Sequence, residues 1–311
     1  MESQFQKEFT VSSYELNPMG QARLTTMANY FQEVAYQHAN ELGFGFEAMK
    51  ERRTMWLLSR MKIRMEHYPA WGERITIETW PSGIDKIFAI RDFRVLDEAG
   101  REIGVASSSW LIVDLESHRP IRPKAELEAY ALITYGKPVF DTAPEKIPLS
   151  GNMEVVKRHM VLFSDLDIVG HVNNVKYMEW SIDAAMHNGT GIAGSEKQTF
   201  SPANPMPGHV IREFREIREL EINFMKETKS GDEVVISAHS THTTNNSDQT
   251  NLTKGPNHTN HTNHTSDPNL SRDPDDPAPS DLLLFVGNRQ EDGAEVFRSK
   301  IEMGEMRTTG H

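Results

Sequence analysis

The sequence contains no cysteine, and this absence removes several classes of function at once. Disulfide-stapled scaffolds, thiolate metal sites and a cysteine nucleophile are excluded. Basic residues are outnumbered, because 33 Lys and Arg stand against 45 Asp and Glu and give a formal net charge of −12. A chain of this charge is not expected to bind nucleic acid, since that requires a concentrated positive surface.

Long apolar runs are also missing. No stretch approaches the roughly 20 apolar residues that a membrane-spanning helix needs, so we expect no membrane partner. The first residues, MESQFQKE, lack a basic stretch followed by an apolar segment and do not predict a secretory signal. We therefore expect a cytoplasmic protein. The length of 311 residues predicts about two domains.

One segment differs in composition from the rest of the chain. Residues 241–281 consist mainly of Asn, Thr, His, Asp, Pro and Ser, with an Asn-His-Thr triplet beginning at Asn257, Asn260 and Asn263. Such a segment cannot bury enough apolar surface to offset the entropy cost of ordering it, so we predict a disordered insert. Its histidines allow a loose metal site as an alternative. A repeat expansion in a tolerant loop is the simpler interpretation, because metal ligands need fixed geometry.

Outside this insert the sequence divides into two similar halves. Each half begins with a strand, continues into an amphipathic helix and ends with several strand-like runs; the helices are predicted at residues 22–42 and 173–186. Helix followed by antiparallel strands, without βαβ alternation, predicts the α+β class. We expect two domains at residues 1–131 and 151–311, each an antiparallel sheet wrapped around a long central α-helix. Residues 132–150, with three prolines, are predicted to link them.

The densest polar cluster is SDLDIVGHVNNVKYMEW at residues 164–180, where a predicted strand gives way to the second helix. Gly170 permits a tight turn, and Asn173 or Asn174 is suited to begin the helix. His171 is a candidate general base, and Asp167 is placed to orient its ring. The free N–H groups at the helix start are candidates to stabilise an oxyanion. These residues are also common in turns and caps, but their combination favours a catalytic site.

The run HVNNVKYMEW at residues 171–180 resembles a helix start of the acyl-acyl carrier protein thioesterases of plant plastids and bacteria. Two long segments are also similar to that family, TMANYFQEVAYQHANELGF at 26–44 and LLSRMKIRMEHYPAWGERITIETWPSG at 57–83, together with RDFRV, ASSSWLIVD and HRPIRP. The similarity extends over residues 8–239 and 282–303. It implies a tandem (double) hotdog fold.

The resemblance implies hydrolysis of the thioester between a fatty acyl chain and acyl carrier protein, without a metal or another cofactor. It places the catalytic residues at Asp167, His171 and Glu227, and no other feature of the sequence indicates Glu227. Without cysteine, the reaction needs a base-activated water or a carboxylate nucleophile. We predict that His171 and Glu227 activate the water, that Asp167 holds the imidazole, and that amides near Asn173 and Asn174 stabilise the oxyanion.

One position departs from the family pattern, because Val169 stands where the family usually has asparagine. Three interpretations follow: a slower enzyme, an enzyme in which Asn173 or Asn174 substitutes, or a domain that binds acyl chains without cleaving them. A coenzyme A thioesterase or a dehydratase would share the same fold.

The first half has no equivalent Asp-Gly-His turn. Its corresponding stretch is residues 16–23, and this half is therefore predicted to shape an acyl tunnel rather than perform chemistry. The candidate tunnel residues are apolar: Met27, Phe31, Met55, Trp56, Leu58 and Trp80. For any one of them taken singly, ordinary core packing is the favoured interpretation. Two fused hotdog halves already form the usual paired unit, so monomer and homodimer are both compatible with the sequence.

Overall fold

The computed structural model describes residues 4–117, 119–121, 136–187, 216–242 and 281–304. Nearly all of the predicted insert at 241–281 and the start of the predicted linker lie outside these described residues. The described helices include none that is long and apolar enough to span a bilayer.

Within the described residues, the first half contains two α-helices and six strands. In chain order these are β1 (Phe5–Thr10), α1 (Leu24–Glu41), α2 (Phe46–Glu51), β2 (Thr54–Met65), β3 (Arg74–Asp85), β4 (Phe88–Leu96), β5 (Glu102–Asp114) and β6 (Pro120–Ile121). The second half repeats this order with β7 (Glu154–Met160), α3 (Asn174–His187), β8 (Ile217–Phe224), β9 (Glu233–His242), β10 (Asp281–Arg289) and β11 (Glu295–Met303). A strand, a long helix and an antiparallel meander thus occur twice, as predicted.

The strands of both halves form one antiparallel sheet with the order β1-β3-β4-β5-β2-β8-β11-β10-β9-β7, and β6 pairs with β5. The halves meet at the β2–β8 seam, where Arg60 lies opposite Asn223 and Arg64 lies opposite Glu219. The α+β prediction is confirmed. Because the seam joins the two halves by backbone hydrogen bonds, residues from both halves are held in a fixed register.

Helices α1 and α3 lie on the same face of this sheet and share one apolar core. In α1 the residues Met27, Phe31 and Val34 recur at helical spacing and are fully buried. The Phe31 ring packs against Phe93 of β4 with the ring centroids 5.0 Å apart. Each such side chain contributes roughly 1.5–3 kcal/mol by leaving water. The helix ends before Gly43, whose φ of 75° suits a glycine after a helix.

The opposite, outer face of the seam carries buried charges. Glu219 is 7% exposed and pairs with Lys62 at 2.9 Å and with Arg64 at 2.7 Å. Burial alone would raise the pKa of Glu219, but hydrogen bonds from the two cations outweigh it and hold the pKa below its usual value. The pairs therefore join β2 to β8 through side chains as well as through the backbone.

The described part of the linker, residues 136–149, packs across this outer face. The side-chain amide of Asn223 on β8 binds the backbone of the linker at two points. Its Oδ1 accepts the Ile147 N–H at 2.7 Å, and its Nδ2 donates to the Glu145 carbonyl at 2.9 Å. Arg298 of β11 donates to the Ile147 carbonyl at 2.8 Å. The linker is thus fixed to the second half by specific polar contacts.

Replacing Asn223 with alanine is expected to destabilise the fold by about 2–5 kcal/mol, because the buried Ile147 amide and the part-buried Glu145 carbonyl lose their partners. Asn223 is only 3% exposed, so water cannot readily replace the lost contacts. Urea unfolding followed by circular dichroism measures the change. The matched control is Asn29→Ala on the exposed side of α1, which should stay within about 0.5 kcal/mol of the wild type. Equal stabilities for the two variants would contradict the anchoring role of Asn223.

Candidate active site

The predicted catalytic turn folds around Asp167. The Asp167 amide donates to the His171 carbonyl at 2.8 Å, and the Gly170 amide donates to the Asp167 carbonyl at 3.1 Å. Oδ1 of Asp167 accepts the amide hydrogens of Val169 at 2.9 Å and His171 at 3.2 Å. Gly170 closes the turn at a φ of 82°, a conformation that glycine adopts without strain. The turn therefore places the His171 ring directly before α3.

Helix α3 begins immediately after this turn. Oδ1 of Asn173 accepts the Val175 amide at 2.9 Å, which is the bond of an N-capping residue. The Asn173 amide donates to the Asp165 carbonyl at 2.9 Å. The Asn174 amide is at the first position of the helix, and it has no hydrogen-bond partner among the described residues. Asn173 is thus used by the cap, while Asn174 offers a free donor.

Glu227 approaches His171 from the loop after β8. Its Oε2 lies 3.3 Å from Nε2 of His171, with the two side chains 42% and 26% exposed. The Val172 amide donates to the Thr228 carbonyl at 3.1 Å, and Arg289 donates to the Glu227 carbonyl at 3.3 Å. The turn and the loop are therefore joined by backbone contacts beside the imidazole–carboxylate pair.

The ring of His171 is oriented by a different carboxylate from the one expected. Asp167 was predicted to hold the imidazole, but its carboxylate binds backbone amides of the turn. Among the residues that the structure describes, the carboxylate that contacts the ring is that of Glu227, and it lies at Nε2. The physical reason is local: an Asp side chain at the start of a tight turn is captured by the amides two and four residues later. Asp167 acts on His171 through the backbone.

The first half contains the same turn without the ionisable pair. Oδ1 of Asn17 accepts the amides of Met19 at 2.9 Å and Gln21 at 3.2 Å, and the Ala22 amide donates to the Pro69 carbonyl at 2.8 Å. Gln21 occupies the place of His171 and Tyr68 occupies the place of Glu227. The predicted correspondence of residues 16–23 with the catalytic turn is confirmed, and so is the lack of an Asp-Gly-His sequence there.

Comparisons with known proteins give two matching family models. A family model described as the acyl-ACP thioesterase N-terminal domain matches residues 2–130, and the model of the C-terminal domain matches residues 151–189. The chain belongs to the acyl-ACP thioesterase family. The second match contains Asp167 and His171 and ends before Glu227.

Curated relatives of this acyl-ACP thioesterase family member come from plants. The palmitoyl-acyl carrier protein thioesterase of Gossypium hirsutum is 31% identical over 195 residues, which are 58% of this chain and 47% of that protein. The oleoyl-acyl carrier protein thioesterase 2 of Arabidopsis thaliana is 31% identical over 199 residues, 58% of this chain and 53% of that protein. Both are named chloroplastic. The chain spans about half the length of the curated relatives it matches.

Solved structures show the same fold over nearly the whole chain. An acyl-ACP thioesterase from Bacteroides thetaiotaomicron superposes with a TM-score of 0.68 at 21% identity, covering 97% of this chain and 98% of that chain. The 12:0-ACP thioesterase from Umbellularia californica gives a TM-score of 0.70 at 18% identity, covering 97% and 94%. The expected hotdog-type α+β fold is confirmed.

The six predicted tunnel residues do not lie together. Met27 and Phe31 belong to the core under α1. Trp80 lies opposite Asp92 on β3 and β4, one residue from Thr79 opposite Phe93, so it faces the outer side of the sheet. There the linker residue Gly136 covers its indole. The sequence alone gives no register from which to assign these faces.

The other three candidates lie together on β2, where Trp56 packs against a small apolar cluster around Phe44 and Met49. Met55, Trp56 and Leu58 lie at the start of β2, beyond its last pair with β8, and Glu227 follows the end of β8. Since the two strands are antiparallel, these three residues and Glu227 are at the same end of the seam. Leu58 is buried, while Met55 and Trp56 are half-buried. For these three residues, a place in the acyl tunnel stays a prediction.

A cavity of about 190 Å³ lies on the outer face instead, between the sheet and the linker. Ser82, Asp92, Ser107 and Phe140 are among the residues that line it, and none of the predicted site residues does. Burial raises the pKa of the Asp92 carboxyl. Because this cavity is on the far side of the sheet from α1, it is separate from the His171–Glu227 pair.

Proposed function

We propose that this protein hydrolyses the thioester joining a fatty acyl chain to acyl carrier protein, releasing the fatty acid and the carrier protein with a free thiol. Family membership and the names of the plant relatives support this substrate class. The observation that carries the proposal is the 3.3 Å contact between Nε2 of His171 and Oε2 of Glu227, three residues before the Asn174 amide at the start of α3. The three groups match the base, the orienting carboxylate and the oxyanion donor of such a reaction.

In the proposed mechanism Glu227 accepts the Nε2–H of His171, which leaves the lone pair on Nδ1. Nδ1 accepts a proton from a water while the oxygen of that water bonds to the thioester carbonyl carbon. The Asn174 amide donates to the resulting oxyanion. When the carbon–sulfur bond breaks, the imidazolium returns the proton to the thiolate. Carboxylic acid and thiol leave, and the protein is unchanged.

The acyl chain is proposed to lie against Met55, Trp56 and Leu58, because the start of β2 is at the same end of the seam as Glu227. Acyl carrier protein is the proposed partner, and the cytoplasm the proposed location. Both members of the imidazole–carboxylate pair come from one chain, so a monomer and a homodimer would carry the same site.

Thiol release from a panel of thioesters tests the proposal. The full chain is incubated with acyl-acyl carrier protein thioesters of increasing chain length and with the corresponding coenzyme A thioesters. We expect higher kcat/KM on the carrier-protein substrates. Faster release from coenzyme A would support an acyl-coenzyme A thioesterase, and an enoyl product without thiol would indicate a dehydratase. Acyl binding without any thiol release would identify a non-catalytic binding protein.

One specific feature favours a non-catalytic acyl-binding protein, namely the valine at position 169. Its side chain is 46% exposed on the catalytic turn, and its amide is held by Asp167. We expect Val169→Asn to raise kcat about 10-fold or more, because an added side-chain donor would stabilise transition-state charge. The asparagine keeps the backbone contact of the turn. Thiol release under single-turnover conditions measures the change, with Ile168→Asn, at a 94% exposed neighbour, as the control. A Val169→Asn variant no faster than the wild type would count against a missing amide.

A further inference from the structure

Thr228, the residue after Glu227, is bound from two sides although it lies in a loop. It is fully buried, and its carbonyl accepts the Val172 amide of the catalytic turn at 3.1 Å. Its hydroxyl lies 2.7 Å from the hydroxyl of Tyr177 on α3. The residue is therefore tied to the catalytic turn through its backbone and to the helix through its side chain.

Tyr177 is itself fixed in the core of the second half. It is 3% exposed, and its ring packs edge-on against Trp180 at 5.1 Å and lies 5.6 Å from Phe297 of β11. Burial raises the pKa of Tyr177 to about 12, so the phenol stays protonated and can share the hydrogen bond at neutral pH. The loop is thus anchored to a rigid point.

The first half provides an internal comparison. Pro69 takes the place of Thr228, because its carbonyl accepts the Ala22 amide as the Thr228 carbonyl accepts the Val172 amide. Met27 takes the place of Tyr177, six residues after the end of the turn in each case. The backbone link is therefore present in both halves. The hydroxyl pair occurs only in the half that has the imidazole–carboxylate pair.

We propose that the hydroxyl pair of Tyr177 and Thr228 is a positioning device that holds the Glu227 carboxylate against Nε2 of His171. The inference rests on the proposed hydrolysis and deepens it. The Glu227 side chain is 42% exposed and has three rotatable bonds. The position of its carboxylate is therefore limited mainly by the position of its backbone. Fixing the adjacent residue removes much of that freedom before the substrate binds.

Three variants test the role of the hydroxyl pair. Thr228→Val keeps the shape and the backbone bond but removes the hydroxyl, and Tyr177→Phe removes the other hydroxyl. We expect each to lower kcat on an acyl-acyl carrier protein thioester about 10- to 100-fold with KM nearly unchanged. Thr228→Ser restores the hydroxyl and should return kcat to within about threefold of the wild type. Unchanged kcat in Thr228→Val would overturn the proposal.

The matched control removes a similar hydroxyl in the half without the pair. The Tyr30 hydroxyl donates to Oε2 of Glu15 at 2.7 Å, next to the first-half turn. Tyr30→Phe and Tyr177→Phe should each lower the melting temperature by a few degrees, but Tyr30→Phe should leave kcat unchanged. A double-mutant cycle adds the second criterion: in a Glu227→Gln background, Thr228→Val should have little further effect on kcat. If Thr228→Val lowered kcat in this background by the same factor as in the wild type, the Thr228 hydroxyl would have a purely structural role.

Crystal structures of Thr228→Val and Thr228→Ser give a readout that does not depend on activity. We expect the separation of Nε2 of His171 and Oε2 of Glu227 to exceed about 4 Å, or the carboxylate to occupy several rotamers, in the valine variant alone. An unchanged contact would overturn the proposal whatever the kinetics. Failure of the wild-type protein to release thiol would refute the proposed hydrolysis, while the two structures would still decide whether the hydroxyl pair positions Glu227.

Discussion

Replacing His171 with alanine is expected to lower kcat on an acyl-acyl carrier protein thioester by about 10²- to 10⁴-fold. The imidazole is the group placed to take a proton from water, since Glu227 occupies Nε2 and no described residue contacts Nδ1. The fold should be retained, because the contacts that hold residue 171 in the turn are made by its amide and carbonyl. An alanine keeps both of these groups.

Single-turnover thiol release measures this effect, and circular dichroism with thermal unfolding checks the fold. The control is His67→Ala, which removes an exposed imidazole from the first half, directly before Tyr68, the counterpart of Glu227. It should keep wild-type kcat. If His171→Ala also remained within about threefold of the wild type, the imidazole would not be the base, and the Glu227 carboxylate would have to act on the water directly.

The elements of this fold follow from local patterns in the sequence. The apolar spacing predicted helices at 22–42 and 173–186, and α1 and α3 span Leu24–Glu41 and Asn174–His187. Such patterns act over a few residues, so the periodicity of side-chain burial is enough to find them.

The arrangement of the site depends on contacts that are distant in the sequence. Glu227 was indicated by family resemblance alone, because its place beside His171 depends on the register of β8 and on the Val172–Thr228 bond. The face assigned to Trp80 required the β3–β4 register. The role of Asp167 was misassigned because spacing in sequence does not say whether a carboxylate binds a ring or the backbone. The Asn17 turn of the first half shows that this side chain binds the backbone, since Asn17 makes the same bonds to two amides although no histidine is present.

Replacing Glu227 with glutamine is expected to lower kcat by about 10²- to 10⁴-fold, comparable to neutralising the carboxylate of a catalytic triad. The amide has nearly the same shape, so the substrate should still bind and KM should change little. It carries no charge, however, and cannot stabilise the imidazolium that forms when water is deprotonated. Its NH₂ group also favours the wrong tautomer of His171. Glu291→Gln in the exposed β10–β11 turn is the control and should keep full activity.

Isotope labelling of the wild type tests whether Glu227 attacks the thioester as a nucleophile and is itself the carbonyl that water hydrolyses. Attack by Glu227 would form an anhydride, and its hydrolysis at the Glu227 carbonyl would leave an oxygen from labelled water in the side chain. In the proposed mechanism the water attacks the thioester directly, so the label appears in the fatty acid alone. Label found by mass spectrometry in the peptide containing Glu227 after many turnovers would show nucleophilic attack by Glu227. We expect no label there, because Oε2 lies 3.3 Å from His171 Nε2 and is engaged in holding the ring.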